Sequence, residues 1–295
     1  MGRLARAVAF RYPFLPARRR LPWLNGGVNE IPNGEIVTAR EGLRVRVMPD
    51  DTYFNVYFWG DYEPYNTKIY RRIVRRGDVV LDVGANFGWF STLFARWVGE
   101  TGRVHSFEPV PFINALTTET LTLNGVGSRV ELNAFGLGQE ETTLTIYTHA
   151  GLSHGHATAA DLGRDDAMSH HCRIRRLDAY CEERGIGPIR FMKVDVEGFE
   201  RDVFLGGARV LSADDAPIIA FELNSECLLR RSLRRIDVVT ALRDLGYTDF
   251  FSLSTRAGVK QLDASDAEGT VDCLAAKPNQ LPDLGPALRT GRLKR

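Results

Sequence analysis

Apolar residues recur along the chain in short runs, and from Val79 onward longer stretches with helical spacing of apolar positions separate them. An apolar run of about 4–8 residues bounded by turn residues is typical of a buried strand. Such runs predict strands at 79–83, 104–107, 130–134, 191–195, 218–222, 248–254 and 271–276, with a further β element at 142–147. Helices are predicted at 64–76, 88–98, 111–124, 177–185, 199–211 and 234–246. This alternation predicts an α/β fold with a mostly parallel, doubly wound sheet and helices on both faces.

The segment before the first of these strands has a different pattern. Val45 and Val47 alternate with arginines, which is typical of a half-buried strand, and Glu41-Gly42 predicts the turn of a hairpin. We therefore divide the chain into a basic arm at 1–33, a hairpin and helix extension at 34–76, an α/β domain at 77–278 and a basic tail at 279–295. Within the domain, residues 148–171 are predicted to form a loop on the substrate side.

Charge is unevenly distributed, although the formal net charge is only +1. Residues 1–76 carry 14 Lys and Arg against 7 Asp and Glu, whereas residues 77–285 carry 20 against 30. The acidic excess therefore lies in the segment predicted to form the sheet. The basic arm is compatible with peripheral contact to a membrane surface, an alternative that the sequence leaves open.

Composition argues against several classes of protein. The four cysteines (Cys172, Cys181, Cys227 and Cys273) form no CxxC pair, which argues against a disulfide framework and a cysteine zinc site. No apolar run reaches the ~18–20 residues of a membrane-spanning helix. The arm lacks the interleaved aromatic residues of a specific nucleic-acid reader. We expect a cytoplasmic protein with no nucleic-acid partner, and its oligomeric state stays open.

The strand at 79–83 contains Asp82 and leads into a turn with Gly84, Asn86 and Gly88 before the next helix begins. Glycine is needed where a side chain would block a ligand from the backbone, and Asn tolerates left-handed geometry. A nicotinamide fingerprint would need glycines at positions 84, 86 and 89, but Asn86 and Trp89 occupy two of them. An acid before the turn instead suits a cationic or hydroxyl-rich ligand.

Glu108 follows the second strand, 26 residues after Asp82. An acid at this position can accept hydrogen bonds from both hydroxyls of a ribose. An acidic first turn and a ribose carboxylate together favour a nucleoside with a positive centre, and S-adenosylmethionine fits this description.

Several motifs resemble the FkbM family of S-adenosylmethionine-dependent methyltransferases, which have the Rossmann-like seven-stranded class I fold. They are RGDVVLDVGANFGWFS, FEPVP, LNAFGLGQEE and FMKVDVEGFERDVFLGG. The resemblance implies that Asp82, Gly84, Asn86 and Gly88 shape the methionine end of the cofactor pocket. It further implies that Glu108 binds the ribose, that Asn133 and Ala134 edge the adenine, and that Asp195 faces the methyl group and the acceptor.

Removing a proton from an aliphatic hydroxyl requires a nearby base or metal. Asp195 is the best-placed carboxylate, and Glu222, at the end of the next strand, is expected to converge on the same edge. The pair is expected to share a proton, with bound Mg²⁺ as the less favoured alternative, and no residue is assigned as a metal ligand. His154 (or His156) in the 148–171 loop is a second candidate for contacting or deprotonating the acceptor.

We therefore expect a methyltransferase that acts on a hydroxyl oxygen of a sugar, glycan or natural-product acceptor. The alternatives are N- or C-methylation on the same scaffold, a nicotinamide-dependent oxidoreductase, and a cofactor-binding protein without catalysis.

Overall fold

The computed structural model describes residues 27–149, 167–254, 258–264 and 268–288 of the chain. Its strands are β1 (Ile36–Thr38), β2 (Arg44–Arg46), β3 (Val79–Val83), β4 (Arg103–Phe107), β5 (Val130–Asn133), β6 (Gly136–Leu137), β7 (Thr142–His149), β8 (Ala167–Arg175), β9 (Phe191–Val194), β10 (Ile218–Asn224), β11 (Asp249–Ser254), β12 (Gly258–Gln261) and β13 (Thr270–Ala276). Its helices are α1 (Asp51–Trp59), α2 (Pro64–Ile73), α3 (Trp89–Val98), α4 (Pro111–Leu123), α5 (Leu177–Arg184), α6 (Glu200–Gly206), α7 (Ala208–Ser212), α8 (Ser225–Arg230), α9 (Arg235–Asp244) and α10 (Leu281–Leu288).

The central sheet has eight strands in the order β12-β11-β13-β10-β9-β3-β4-β5. β5, β4, β3, β9 and β10 run parallel to one another, and β13 runs antiparallel between β10 and β11. The seven-stranded, mostly parallel class I fold predicted from the sequence is confirmed, with β12 as an added edge strand.

The order in which the chain adds strands to the sheet reverses beside β3. β4 and β5 lie on one side of β3, whereas β9 and β10, which come later in the chain, lie on the other. Val83 at the end of β3 is in register with Phe107 on β4 and with Val194 on β9. The carboxyl ends of these strands therefore meet at one edge, which is where doubly wound sheets bind ligands.

Two apolar clusters cover the two faces of the sheet. Val80 and Phe191 pack in the first cluster with α3, and Leu81 and Met192 pack in the second with α5 and α6. Successive residues of a strand point to opposite faces, so continuously apolar strands need helices on both sides. This confirms the doubly wound arrangement.

Six elements were not predicted from the sequence, namely α1, β6, β8, β12, α8 and α10. Seven of the nine residues of α1 are buried, so this helix has no polar face and no amphipathic pattern. β8 pairs antiparallel with β7 and parallel with β6 in a separate three-stranded sheet. Residues 148–149 and 167–171 therefore belong to strands, which corrects these two parts of the loop expected at 148–171. Residues 281–288, expected to lie in a basic tail, form α10.

One predicted helix is divided in two. Residues 199–211 form α6 and α7, which meet at Gly206 and Gly207. A Cβ at Gly206 would lie 1.9 Å from the carbonyl oxygen of Gly138, so the backbone of α6 packs directly on the strand segment that precedes β7. None of the helices in the described residues is both long enough and apolar enough to span a membrane.

Candidate active site

A cavity of about 490 Å³ opens at the carboxyl ends of β3, β4, β9 and β10. Five residues singled out in the sequence line it, namely Gly84, Asn86, Glu108, Asp195 and Glu222. Four further acids line it as well, namely Glu63, Glu140, Glu197 and Asp202. The fold thus brings together side chains that lie up to about 160 positions apart in the sequence.

The glycine turn after β3 has the left-handed backbone that its sequence predicts. The φ angles are +81° at Gly84, +48° at Asn86 and +84° at Gly88. A Cβ at Gly84 would lie 1.8 Å from the carbonyl oxygen of Asp195, so the turn and the end of β9 touch through their backbones. Gly84 therefore cannot be replaced by a larger residue, because the backbone of Asp195 occupies the position of its Cβ.

Asp82 lies beneath this turn and does not line the cavity. Its side chain is fully buried, and the Ser91 hydroxyl donates a hydrogen bond of 2.5 Å to Oδ2. Oδ1 has no hydrogen-bond partner among the described residues. Burial raises the pKa of Asp82 to about 6, against the opposing effects of Lys193 and Ser91. Asp82 thus supports the turn from below.

Glu108 is buried at the end of β4 and faces the cavity. Its carboxylate accepts hydrogen bonds from the backbone N–H of Asn86 at 3.0 Å and of Val110 at 3.1 Å. Burial raises the pKa of Glu108 to about 7, although both backbone donors favour the ionised form. The two donors fix the carboxylate in one orientation at the cavity wall.

Asn133 and Ala134, expected to edge the adenine, are not among the residues that line the cavity. The Asn133 amide group donates hydrogen bonds to the backbone oxygens of Ser106 and Glu131 and to the Tyr180 hydroxyl. Ala134 is exposed. The apolar wall beside Glu108 comes instead from Val110, Ile113, Leu137, Leu144, Ile146 and Ile174.

Three carboxylates converge on the opposite side of the cavity from this apolar wall, at the ends of β9 and β10. One oxygen each of Asp195, Glu197 and Glu222 lies within 4.8 Å of the other two. Asp195 accepts a hydrogen bond of 2.9 Å from the Lys193 ammonium group. Burial opposes the charge on Lys193, but Asp195, Asp82 and Glu63 outweigh burial and raise the pKa of Lys193. The convergence of Asp195 and Glu222 agrees with the sequence expectation.

Glu197 was not assigned a site role from the sequence, where its position at a helix start suggests a contribution to the helix dipole. Its φ is +52°, and Oε2 accepts hydrogen bonds from the Asn224 amide at 3.3 Å and the Cys227 thiol at 3.2 Å. Burial raises the pKa of Glu197 to about 8, and the Asp195 charge adds to this shift. Burial followed by the charges of Asp195 and Glu197 also raises the pKa of Glu222.

Left-handed backbone at residues other than glycine concentrates around the cavity. In the described part of the chain it occurs at Glu63, Asn86, Glu197 and Ser232, and the first three line the cavity. Such conformations cost about 1–3 kcal/mol each and are found preferentially at functional sites. Three of the four residues with this unusual backbone therefore also line the cavity.

Only some of the histidines of the expected 148–171 loop lie in the described residues. His154 and His156 lie outside the described residues. His170 and His171 lie on β8, where His170 Nε2 is 2.9 Å from the Thr148 hydroxyl across the strand pair, and neither lines the cavity.

The fold and the position of the cavity define a Rossmann-like protein of the class I methyltransferase type. A sequence profile described as the methyltransferase FkbM domain matches residues 82–247. The chain belongs to this FkbM methyltransferase family, which confirms the resemblance found in the sequence.

Two curated relatives show the same similarity. The chain is 32% identical over 159 residues to the 31-O-demethyl-FK506 methyltransferase FkbM of Streptomyces tacrolimicus, covering 45% of this chain and 60% of that protein. It is 32% identical over 162 residues to the AMB antimetabolite synthetase AmbE of Pseudomonas aeruginosa, covering 43% of this chain and 8% of that protein. The chain thus matches less than two thirds of either relative.

Solved structures with similar folds include two methyltransferases. The methyltransferase FkbM from Methylobacillus flagellatus KT is 13% identical, with a TM-score of 0.44, and the match covers 76% of this chain and 53% of that one. An O-methyltransferase from Bacillus cereus in complex with SAH is 14% identical, with a TM-score of 0.41, covering 73% of this chain and 83% of that one.

Proposed function

We propose that this protein transfers a methyl group from S-adenosylmethionine to a hydroxyl oxygen of a sugar, glycan or natural-product acceptor. The observation that carries the proposal is that one cavity is lined by the glycine turn, by Glu108 and by the carboxylates of Asp195 and Glu222. The relative from Streptomyces tacrolimicus is named for methylation at an oxygen, which supports this choice of acceptor atom.

The residues present fit the cofactor. Gly84 and Asn86 line the cavity, and Asn86 has a buried Oδ1 without a partner among the described residues. Glu108 would accept hydrogen bonds from the ribose hydroxyls, and the glycine turn would hold the methionine end. When bound, the cofactor supplies an electrophilic methyl group on a sulfonium.

The protein's own residues must position the acceptor and remove its proton. They must hold the acceptor oxygen in line with the methyl group, at about 3 Å, and remove the hydroxyl proton. Asp195 and Glu222 are the groups that we assign to this proton. Lys193 holds the Asp195 carboxylate in place through its 2.9 Å ion pair. His154 is a second candidate for contacting the acceptor.

Calorimetry separates this function from its alternatives. Titration with S-adenosylhomocysteine is expected to show binding, whereas titration with NAD is expected to show none. Tight binding of NAD without binding of S-adenosylhomocysteine would instead support an oxidoreductase. Methyl-label transfer to a panel of sugars, amines and secondary metabolites then identifies the acceptor and distinguishes O- from N- and C-methylation.

The role of Asp195 is tested in the same assay. Asp195→Asn is expected to lower turnover by a factor on the order of 10²–10⁴ and to leave the affinity for S-adenosylhomocysteine within a few-fold. Asp214→Asn, at an exposed position, is the matched control. Normal turnover by the Asp195→Asn variant would remove Asp195 as the base. Loss of turnover in EDTA, restored by added Mg²⁺, would show that bound Mg²⁺ takes the place of the shared proton.

A further inference from the structure

Acidic residues greatly outnumber basic ones in the cavity wall. Seven of its lining residues have a carboxylate and one, Arg231, is cationic. Arg231 donates hydrogen bonds to Asp202 at 2.6 Å and to the Gly198 carbonyl at 2.7 Å, so its charge is already neutralised by a neighbour. Among the described residues the wall therefore offers no free cation to an anionic ligand, and it favours a positive one.

Glu197 and Glu222 are the two converging acids for which the described residues provide no ion pair. Of the three converging carboxylates, Asp195 has a cationic partner in Lys193. Glu197 is held by the neutral groups of Asn224 and Cys227. Burial and the charge of Asp195 come first in raising the pKa of both Glu197 and Glu222, and Glu200 adds to each. These shifts favour the protonated form of both acids, and a positive charge brought near them would favour the ionised form instead.

Two buried carboxylate oxygens outside the cavity wall also lack partners among the described residues. Oε2 of Glu200, whose side chain is 1% exposed, has no hydrogen-bond partner among the described residues. Oδ1 of Asp82, which is fully buried and in register with Lys193, has none either. Neither of these residues lines the cavity, but Asn86 does, and its buried Oδ1 also lacks a hydrogen-bond partner among the described residues. A buried acceptor oxygen without a donor favours a ligand that brings N–H donors or positive charge.

The cluster touches the turn that would hold the reactive end of the cofactor. A Cβ on Gly84 would meet the carbonyl oxygen of Asp195 at 1.8 Å, and both residues line the same cavity as Glu197 and Glu222. S-adenosylmethionine and its product S-adenosylhomocysteine share the adenosine and the amino acid. They differ by one methyl group and by the positive charge on sulfur.

Building on the proposed function, we propose that Glu197 and Glu222 form a cation subsite that holds the positive centre of S-adenosylmethionine and so favours the cofactor over its neutral product. At short range in a half-buried site, an ionic attraction of this kind is far stronger than in water. The subsite would also favour release of the product after transfer, because the attraction ends when the sulfur loses its charge.

The test is calorimetric and needs no acceptor. The full chain is titrated with S-adenosylmethionine, with S-adenosylhomocysteine and with sinefungin, which carries an amine in place of the sulfonium. We expect the two cationic ligands to bind at least tenfold more tightly than S-adenosylhomocysteine. Glu197→Gln and Glu222→Gln are each expected to reduce this ratio to about threefold or less. Glu226→Gln, a 74% exposed position on α8, is expected to keep the wild-type ratio.

The outcomes are distinguishable. If no ligand binds, the proposed function fails and this inference fails with it. If S-adenosylhomocysteine binds as tightly as the cationic ligands, the inference alone is overturned. If circular dichroism shows that one variant is unfolded, the affinity ratio of the wild type and that of the other variant test the inference. A preference that appears only with added magnesium and disappears in EDTA would assign the cluster to a metal and overturn the subsite.

Discussion

At the scale of single residues, Gly84 has the least freedom to change. Alanine would have to adopt a φ near +81° and place its Cβ 1.8 Å from a backbone oxygen of Asp195. We expect Gly84→Ala to reduce affinity for S-adenosylhomocysteine at least tenfold and to destabilise the fold by on the order of 2–3 kcal/mol. Calorimetry and urea unfolding measure the two effects.

Gly125 provides the control for this substitution. Its φ is +64°, and a Cβ there would meet nothing within 4 Å. Gly125→Ala therefore isolates the backbone cost, on the order of 1 kcal/mol, and is expected to leave ligand affinity unchanged. Equal effects of the two substitutions would show that the contact between Gly84 and Asp195 is unimportant.

The ribose role proposed for Glu108 predicts a different effect on ligand affinity from the role proposed for Glu197 and Glu222. The ribose is common to S-adenosylmethionine and S-adenosylhomocysteine, so Glu108→Gln is expected to weaken both by a similar factor, on the order of tenfold. Calorimetric titration of the variant with each ligand measures this. A change in the ratio of the two affinities would contradict a ribose role, and unchanged affinities would remove Glu108 from the site.

The residues that could be predicted from the sequence are those at strand ends. Gly84, Glu108, Asp195 and Glu222 each follow or end an apolar run and line the cavity, because parallel strands bring such ends together. Glu197 and Glu63 could not be found this way, because their places depend on left-handed backbone in turns. The sequence signal available for Glu197 was the glycine after it, which ends β9 in a tight turn.

At the scale of elements, local patterns predicted the βα units and missed elements that depend on distant contacts. β8 alternates poorly, and it is held by pairing with β7 across the intervening segment. α10 carries apolar residues beside proline and glycine, which weakens any helical pattern, and it is docked by tertiary contacts. Its Asp283 forms ion pairs with Arg75 at 2.9 Å and Arg190 at 2.7 Å.

α10 is therefore expected to be part of the folded unit. Leu284 is fully buried in the same cluster as α2 and α3. We expect Leu284→Ala to lower the free energy of unfolding by about 2–4 kcal/mol, measured by urea denaturation. Leu229→Ala, at a position 66% exposed, is expected to change it by less than about 0.5 kcal/mol. A negligible effect at Leu284 would support the domain boundary at residue 278 that the sequence suggested.

At the scale of the whole molecule, the excess of acids seen in residues 77–285 has a specific location. Part of it is buried at the carboxyl edge of the sheet, where Asp82, Glu108, Glu197, Glu200 and Glu222 all have a raised pKa. Burying acids against one another costs stability, and the protein tolerates that cost at the edge where ligands bind. The net charge of +1 hides this arrangement completely.

This arrangement makes the stability of the empty protein depend on pH. The folded protein keeps a proton on Glu197 up to a pKa of about 8, whereas an unfolded Glu loses it near 4.5. Between these values the unfolded state binds fewer protons, so stability falls as pH rises. A glutamine at this position cannot ionise and escapes this loss. We expect the free energy of unfolding of Glu197→Gln, relative to that of the wild type, to increase by on the order of 2 kcal/mol between pH 5 and pH 9. One pKa unit corresponds to ~1.4 kcal/mol, and neighbouring acids share the shift. Urea unfolding across this pH range measures this difference in free energy, with Glu226→Gln as the control. A difference that stays constant with pH would show that Glu197 ionises normally in the folded protein.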